Sequence, residues 1–488
     1  MNRTRLHTLD ERGMAAVLAL IVVLALSLLV TAFLAVSAFE PQISQNLADT
    51  TQARYAAEAG IEWAFDQLVA TATWDTLLAG AGACGTSVTP VGWSNVAIAS
   101  VSGTFTVSVR NDCLAGATPD SLITGVAVDT AGAPPGSATH DNNGILILTA
   151  TGSFRGAQKG IQVVIRRDGV GSAPDFPAAV NEPGFQSDTY VACANNGGSC
   201  ANFRVDGRDY ACSTCTTTND AAWYSSANWA AASGNPLKLG IATQPGVQQN
   251  KSPTTYEQNV ESAFTSGTSD QVTAKEGSVT GKDQSTGGNQ TGLGTIGPSS
   301  ALTPTAMQTF LDNLAANPKT QILQSTMACR MQITGSTSTA TSTPTLSNGC
   351  GVNQTINLGS PSNPQLIYFR GDLDSTSMFT GLQINDKIQG AGILVVEDGD
   401  MKVLGNLTWQ GVVIVTGRYV GAGFMDGSNT TVNGAFVSNE TVWSEQTGFY
   451  EFYLGTLTGS ATFHYSQQAL ALMKSIRNLH SLYGWRSV

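Results

Sequence analysis

The sequence predicts an α+β, mostly β chain: a long N-terminal helix carrying an antiparallel sheet, then a C-terminal β-solenoid of right-handed β-helix type. Three observations predict it. An uncharged apolar run, Gly13 to Phe39, continues directly into a segment with helical spacing. Three strand patterns follow within 101–168. In the last third, short apolar strands recur around Gly392, Gly411 and Gly434, at intervals near 20 residues that fit stacked coils.

The composition agrees. Of 488 residues only 12% are charged, the net charge is −11, and 52 glycines mark a turn-rich chain, which argues against a nucleic-acid surface. The N-terminal run, interrupted only by Ser27, Thr31 and Ser37, would span roughly 40 Å as a helix, enough to cross a bilayer. Arg3, Arg5 and Arg12 precede it, so the bulk of the chain is expected outside the inner membrane, in the periplasm. A secretory signal cut after Val36-Ser37-Ala38 is the alternative, but its apolar core would normally be much shorter. In "NLADTTQARYAAEAGIEWAFDQLVA" the residues Ala53, Ala57, Ile61, Ala64 and Leu68 extend the helix to about residue 78, with Pro41 as the expected kink. Ala56, Ala57, Ala59 and Gly60 would let another backbone approach closely.

The strands "VSGTFTVSVR", "GILILTATGSF" and "GAQKGIQVVIRR" complete a first module, 14–168, with the last two joined by a turn at Phe154-Arg155-Gly156. A linker is expected at 169–185 and a solenoid-like domain over 186–465, with a flexible insertion at about 262–300 rich in Gly, Ser and Thr. The segment 466–488, apolar at Ala469, Leu472, Met473 and Ile476, is expected to cap the solenoid's open end. Eight cysteines in an exported chain point to disulfides: Cys84 with Cys113, Cys329 with Cys350, and a group of Cys193, Cys200, Cys212 and Cys215 whose connectivity stays open. Zinc at that group is the alternative.

Catalytic signatures are few. No two of the four histidines stand at a metal-ligand spacing, and no G-x-S-x-G occurs. "GSVTGKD" lacks the length and hydroxyl of a phosphate loop. Asp372, Asp374 and Thr376 repeat the D-x-D-x-T of dehalogenase-type phosphatases, but among solenoid strands the two aspartates read as a solvated turn or a weak calcium site. No enzyme activity and no cofactor are expected.

The leader ending in "RG", the apolar run and "RYAAEAGIEWA" together resemble the N-terminus of PilX-type minor pilins of type IV pili, with the K-type pseudopilins of type II secretion as relatives. The resemblance covers about the first 70 residues. It implies a leader peptide, 1–13, removed after Gly13 by a prepilin peptidase, N-methylation of Met14, and an assembly helix that passes from membrane to filament. It also implies other minor pilins, the major pilin and a PilY-type tip adhesin as partners, and a place at or near the pilus tip. Most pilins carry Glu at the fifth mature position; here it is Leu18, an absence shared with the tip pseudopilins. The runner-up functions are a tip pseudopilin and a membrane-anchored β-helix enzyme acting on envelope polysaccharide.

Overall fold

The computed structural model describes residues 10–71, 73–98, 103–113, 138–141, 143–167, 174–192, 202–216, 218–232, 237–248, 254–335, 344–372, 380–418, 421–425, 427–442, 450–455 and 458–488. Helix α1 (Asp10–Ala70) runs through Pro41 without interruption. It ends at Ala70, short of the expected residue 78, because the chain turns into a 3₁₀ segment at Trp74–Thr76. The helix terminus is finished by side chains: the Trp74 indole donates to the Leu68 carbonyl (3.0 Å) and Arg167 donates to the Thr71 carbonyl (2.7 Å).

The distal half of α1 lies on an antiparallel sheet of β1 (Val96–Ala97), β2 (Thr104–Asn111), β3 (Ile145–Phe154), β4 (Ala157–Arg167) and the C-terminal strand His480–Ser487, in that order. Ala53, Ala57, Ile61, Ala64 and Leu68 are buried against it. The approach is close because both surfaces are small there. A Cβ on Gly152 of β3 would stand 2.0 Å from the Ala53 carbonyl oxygen, and one on Gly60 would stand 3.0 Å from the Phe105 ring. The β3–β4 turn places Arg155 and Gly156 at positive φ, which only the glycine adopts without strain.

Beyond Arg167 the chain builds a module of parallel strands stacked in register. Lys387–Glu397, Asn406–Gly417 and Asn429–Glu440 lie side by side, with Gly392, Gly411 and Gly434 opposite one another. All three glycines have positive φ (116°, 127° and 134°), and a Cβ on Gly411 would lie 2.2 Å from the Gly392 carbonyl oxygen. Only glycine can bend each strand at that height. Residues before Gly434 pair with Ser460–Tyr465, whereas Phe436 and Val437 after it pair with Ala178–Glu182. A further parallel ladder runs through Met331–Thr334, Thr380–Ile384, Asp400–Val403, Ala422–Phe424, Phe452–Leu454 and Thr189–Val191. The three passes Lys387–Val403, Asn406–Phe424 and Asn429–Leu454 each contribute an arm before the glycine (first face), an arm after it (second face) and a strand of the further ladder (third face) to one apolar core, where Phe424, Phe436, Phe452 and Phe463 pack with ring centroids 5.1–5.8 Å apart.

The stacking order is not the chain order. The layer formed by Ala178–Glu182, which falls in the expected linker, with Thr189–Val191 and Phe203–Asp206, stacks on the last C-terminal pass. Leu239–Thr243 and Ile296–Pro298 continue the stack outward from it, and helix Pro304–Ala316 carries the chain to the opposite end, where Ile322–Gln324 pairs with Tyr368–Arg370. Both ends finish in antiparallel strands with exposed Asn-Gln-Thr sequences, Asn289–Thr291 and Asn353–Thr355. Polar edges of this kind discourage further strand addition.

Two sequence expectations are corrected here. Residues 262–300 are not an excursion: Ala263, Phe264, Val279 and Ile296 belong to the core, carried by helices Tyr256–Thr265 and Ser269–Glu276, each opened by a threonine capping box, and by the strands that follow. Residues 466–488 do not cap an end either. Their short helix Gln467–Ala471 and the 3₁₀ turn Leu472–Ser475 lie against the long strands, with Ala469, Leu472, Met473 and the following Ile476 buried, and the tail returns to β4.

Candidate functional site

The assembly helix of the sequence reading is physically two helices in one. From Met14 to Leu47 its large apolar side chains are exposed all round, Met14 and Leu18 being 70% and 65% accessible. This is the one helix, among the described residues, long and apolar enough to cross a membrane. Gly13 lies within it, one residue before the exposed run. From Ala53 onward the same helix is an ordinary amphipathic element, with Ala57 and Gly60 on the buried face. Ala57 and Gly60 therefore let the chain's own sheet come close, and are not available to a second subunit.

The chain crosses between the helix-backed sheet and the β module at two adjacent points. Arg167, the last residue of β4, and His480, the first of the C-terminal strand, are register partners, both buried. Arg167 Nε donates to His480 Nε2 (3.3 Å), and its guanidinium lies 4.1 Å from the centre of the Trp74 ring. An arginine can only donate, so Nε2 must accept and the imidazole carries its proton on Nδ1, which donates to the Ile476 carbonyl (2.9 Å). Burial, reinforced by Arg167, pushes His480 down to about 4. Burial also lowers Arg167 to about 10. The His480 ring packs between Phe65 and Trp74, Lys319 of the β module donates to the His480 carbonyl (2.9 Å), and Arg477 pairs with Asp66 on α1. Helix end, sheet and β module thus meet in one hydrogen-bonded knot. Two covalent crossings pinned by such a knot resist the hinge motion that a single linker would allow.

Three disulfides are present among the described residues. Cys84–Cys113 ties the segment after α1 to the end of β2, Cys329–Cys350 closes a loop beside the third face, and Cys212–Cys215 closes a tight turn. Cys193 and Cys200 lie outside the described residues, as does Asp374; Asp372 is exposed after Tyr368–Arg370. Among the described residues no three His, Cys, Asp or Glu side chains converge as metal ligands would.

The sequence reading did not find Arg167, Trp74 or His480. A histidine 313 residues from its arginine has no local signature, and "NLHSLYGW" reads as a tail. Buried carboxyls at the corner between the second and third faces were also missed. Burial pushes Glu182 up to about 8 and Asp400 up to about 7, and raises Glu451, which sits against Glu440.

No family model matches the chain, and no curated protein matches it. Among solved structures, the competence-associated pilin ComZ from Thermus thermophilus is similar over 90% of this chain and 97% of its own, at 12% identity and a TM-score of 0.24. At that score the similarity carries no weight for function.

Proposed function

We propose that the chain is a minor pilin: a filament subunit held in the inner membrane by α1, cut after Gly13, N-methylated on Met14, and assembled at or near the tip of a type IV pilus. The observation that carries the reading is the divided helix. An apolar rod exposed from Met14 to Leu47 continues without a break into a helix packed on a sheet, so one rigid element joins the lipid or filament core to the body. The leader and "RYAAEAG" motif agree with it.

On this reading the stacked parallel passes are a β-solenoid presented outward, and the Arg167–His480 knot fixes its direction relative to the filament axis. A PilY-type adhesin, other minor pilins and the major pilin are the proposed partners, and no catalytic step is assigned. Gold labelling of intact pili tests the position: label at the ends supports it, and label spread evenly along the shaft overturns it. If deletion abolishes protein secretion and leaves pili intact, the tip-pseudopilin reading replaces it.

A further inference from the structure

We infer that Tyr190 and Tyr450 are the site of an oxidative cross-link, a carbon–carbon bond between their phenol rings that ties Thr189–Val191 to the last C-terminal pass. Thr189–Val191 pairs with Phe452–Leu454, with Tyr190 opposite Tyr453, and Tyr450 lies just before that strand. The sequence neighbours Val191, Phe452 and Leu454 are buried, which puts Tyr190 and Tyr453 on the outer side. This seam is where stacking order departs from chain order. Tyr190 and Tyr450 stand more than half the chain apart in sequence. The three disulfides of the described residues, Cys84–Cys113, Cys212–Cys215 and Cys329–Cys350, do not cross it.

Three phenols meet here at an accessible surface. Tyr190 is 38% exposed, and Tyr450 and Tyr453 are half-buried. Tyr453 lies flat on Tyr190, with 5.1 Å between centroids and 7° between planes. Tyr450 meets the same ring at 4.9 Å with the planes 37° apart. This difference selects the bonding partner. Two rings joined by a single bond lie side by side, twisted about that bond, and hold their Cβ carbons well apart. Register partners in a parallel ladder are held only about 4.8 Å apart, so Tyr453 stacks on Tyr190 and cannot become its biaryl partner without parting the strands. Tyr450 lies outside the ladder and already makes the tilted approach. Tyr453 is then a positioning residue that keeps the Tyr190 ring in place, and at 6.1 Å from Tyr450 it completes a cluster in which an unpaired electron can pass between rings. Burial first, and then the neighbouring phenols of Tyr190 and Tyr450, raise Tyr453, so it stays protonated at neutral pH.

The oxidant required is a one-electron oxidant of the haem-peroxidase class, working with hydrogen peroxide. It removes one electron and one proton from each phenol, leaving two phenoxyl radicals with spin on the ring carbons beside the C–O carbon. Those two carbons form the bond. Each then gives up its hydrogen as a proton while each oxygen regains one, which restores both phenols. Two tyrosines and one hydrogen peroxide thus yield one cross-link and two waters. The product closes a loop longer than half the chain, and restricts the unfolded chain in the way a disulfide would at the same place. If the three rings were only a surface staple, phenylalanine would serve equally well in their places, because stacking needs the ring and not the hydroxyl.

The inference does not depend on the pilin reading. Its test treats the purified full chain in nanodiscs, dilute enough to suppress coupling between molecules, with a haem peroxidase and hydrogen peroxide. The treated chain should show the blue emission of dityrosine, and mass spectrometry should find the peptides carrying Tyr190 and Tyr450 joined and two hydrogens lighter than their sum. Its melting temperature should rise by about 5 °C. Tyr450→Phe keeps the ring, so before treatment it should melt with the wild type, and after treatment it should lack both the joined peptides and the rise. Tyr453→Phe, which keeps the stack, should retain both. Absence of dityrosine, coupling only between chains, or a product that survives in Tyr450→Phe and disappears in Tyr453→Phe overturns the inference. None of these outcomes touches a chain that begins at methylated Met14, so the two readings fail separately.

Discussion

At the scale of single residues, two kinds of position are constrained by different physics. Gly411 is held by sterics: at φ 127°, with the Gly392 oxygen 2.2 Å from any Cβ, Gly411→Ala must distort the bend shared by three passes. We expect a loss of about 3 kcal/mol or more, read as a lowered midpoint in urea unfolding. His480 is held by electrostatics. Its pKa falls from an ordinary 6.5 to about 4 on folding, so its contribution is fully present above pH 6.5 and is lost as pH drops from there toward 4. The loss is at most about 3 kcal/mol. His480→Gln can still accept from Arg167 and donate to Ile476, and should flatten this acid limb in melts taken across that range. Glu182 runs the other way. Its pKa rises to about 8, so its share of stability is greatest below the ordinary carboxyl range and declines as pH rises through 8. Glu182→Gln should keep the module's melting temperature higher than wild type at pH 8.5.

At the scale of elements, the C-terminal strand His480–Ser487 carries more than its length suggests. It covers the edge of β4 and supplies half of the junction. Ending the chain at Leu479 should leave the β module folded, since its own core is intact, yet speed amide exchange in Ile161–Arg167 by about tenfold. The strands Ala178–Glu182 and Phe203–Asp206 behave oppositely: because they stack on Asn429–Glu440 and Ser460–Tyr465, ending the chain before Asn429 should unfold them too. What the sequence made legible follows from this contrast. Helix α1, β2 to β4 and the glycine ladder are local or periodic, so Ala53–Leu68, "TFTVSVR" and Gly392–Gly411–Gly434 announced them. Pairings set by closure of long loops left no periodic trace, which is why residues 178–182 read as linker and 480–487 as tail. The Gly- and Thr-rich segment around 262–300 misled for another reason. Its composition is that of a loop, but a few anchors, Ala263, Phe264, Val279 and Ile296, are enough to order it.

At the scale of the whole molecule, the proposed minor-pilin role makes bulk and direction the relevant properties. A β module this large, fixed to its helix by two crossings, would collide with its neighbours if repeated along a shaft. Leu18, which offers no countercharge to a neighbouring N-terminal ammonium, would leave that charge unpaired at a cost of several kcal/mol. Both features favour very few copies, and Leu18→Glu, exposed on the free part of α1, should fold normally without turning the protein into a shaft subunit. The claim beneath all of this is that the apolar helix is kept, not discarded, and begins at Met14. Mass spectrometry of the N-terminal peptide of the protein recovered from membranes and sheared pili tests it most directly. The account predicts a chain starting at N-methylated Met14, abolished by Gly13→Val; a chain starting at Phe39 would contradict it.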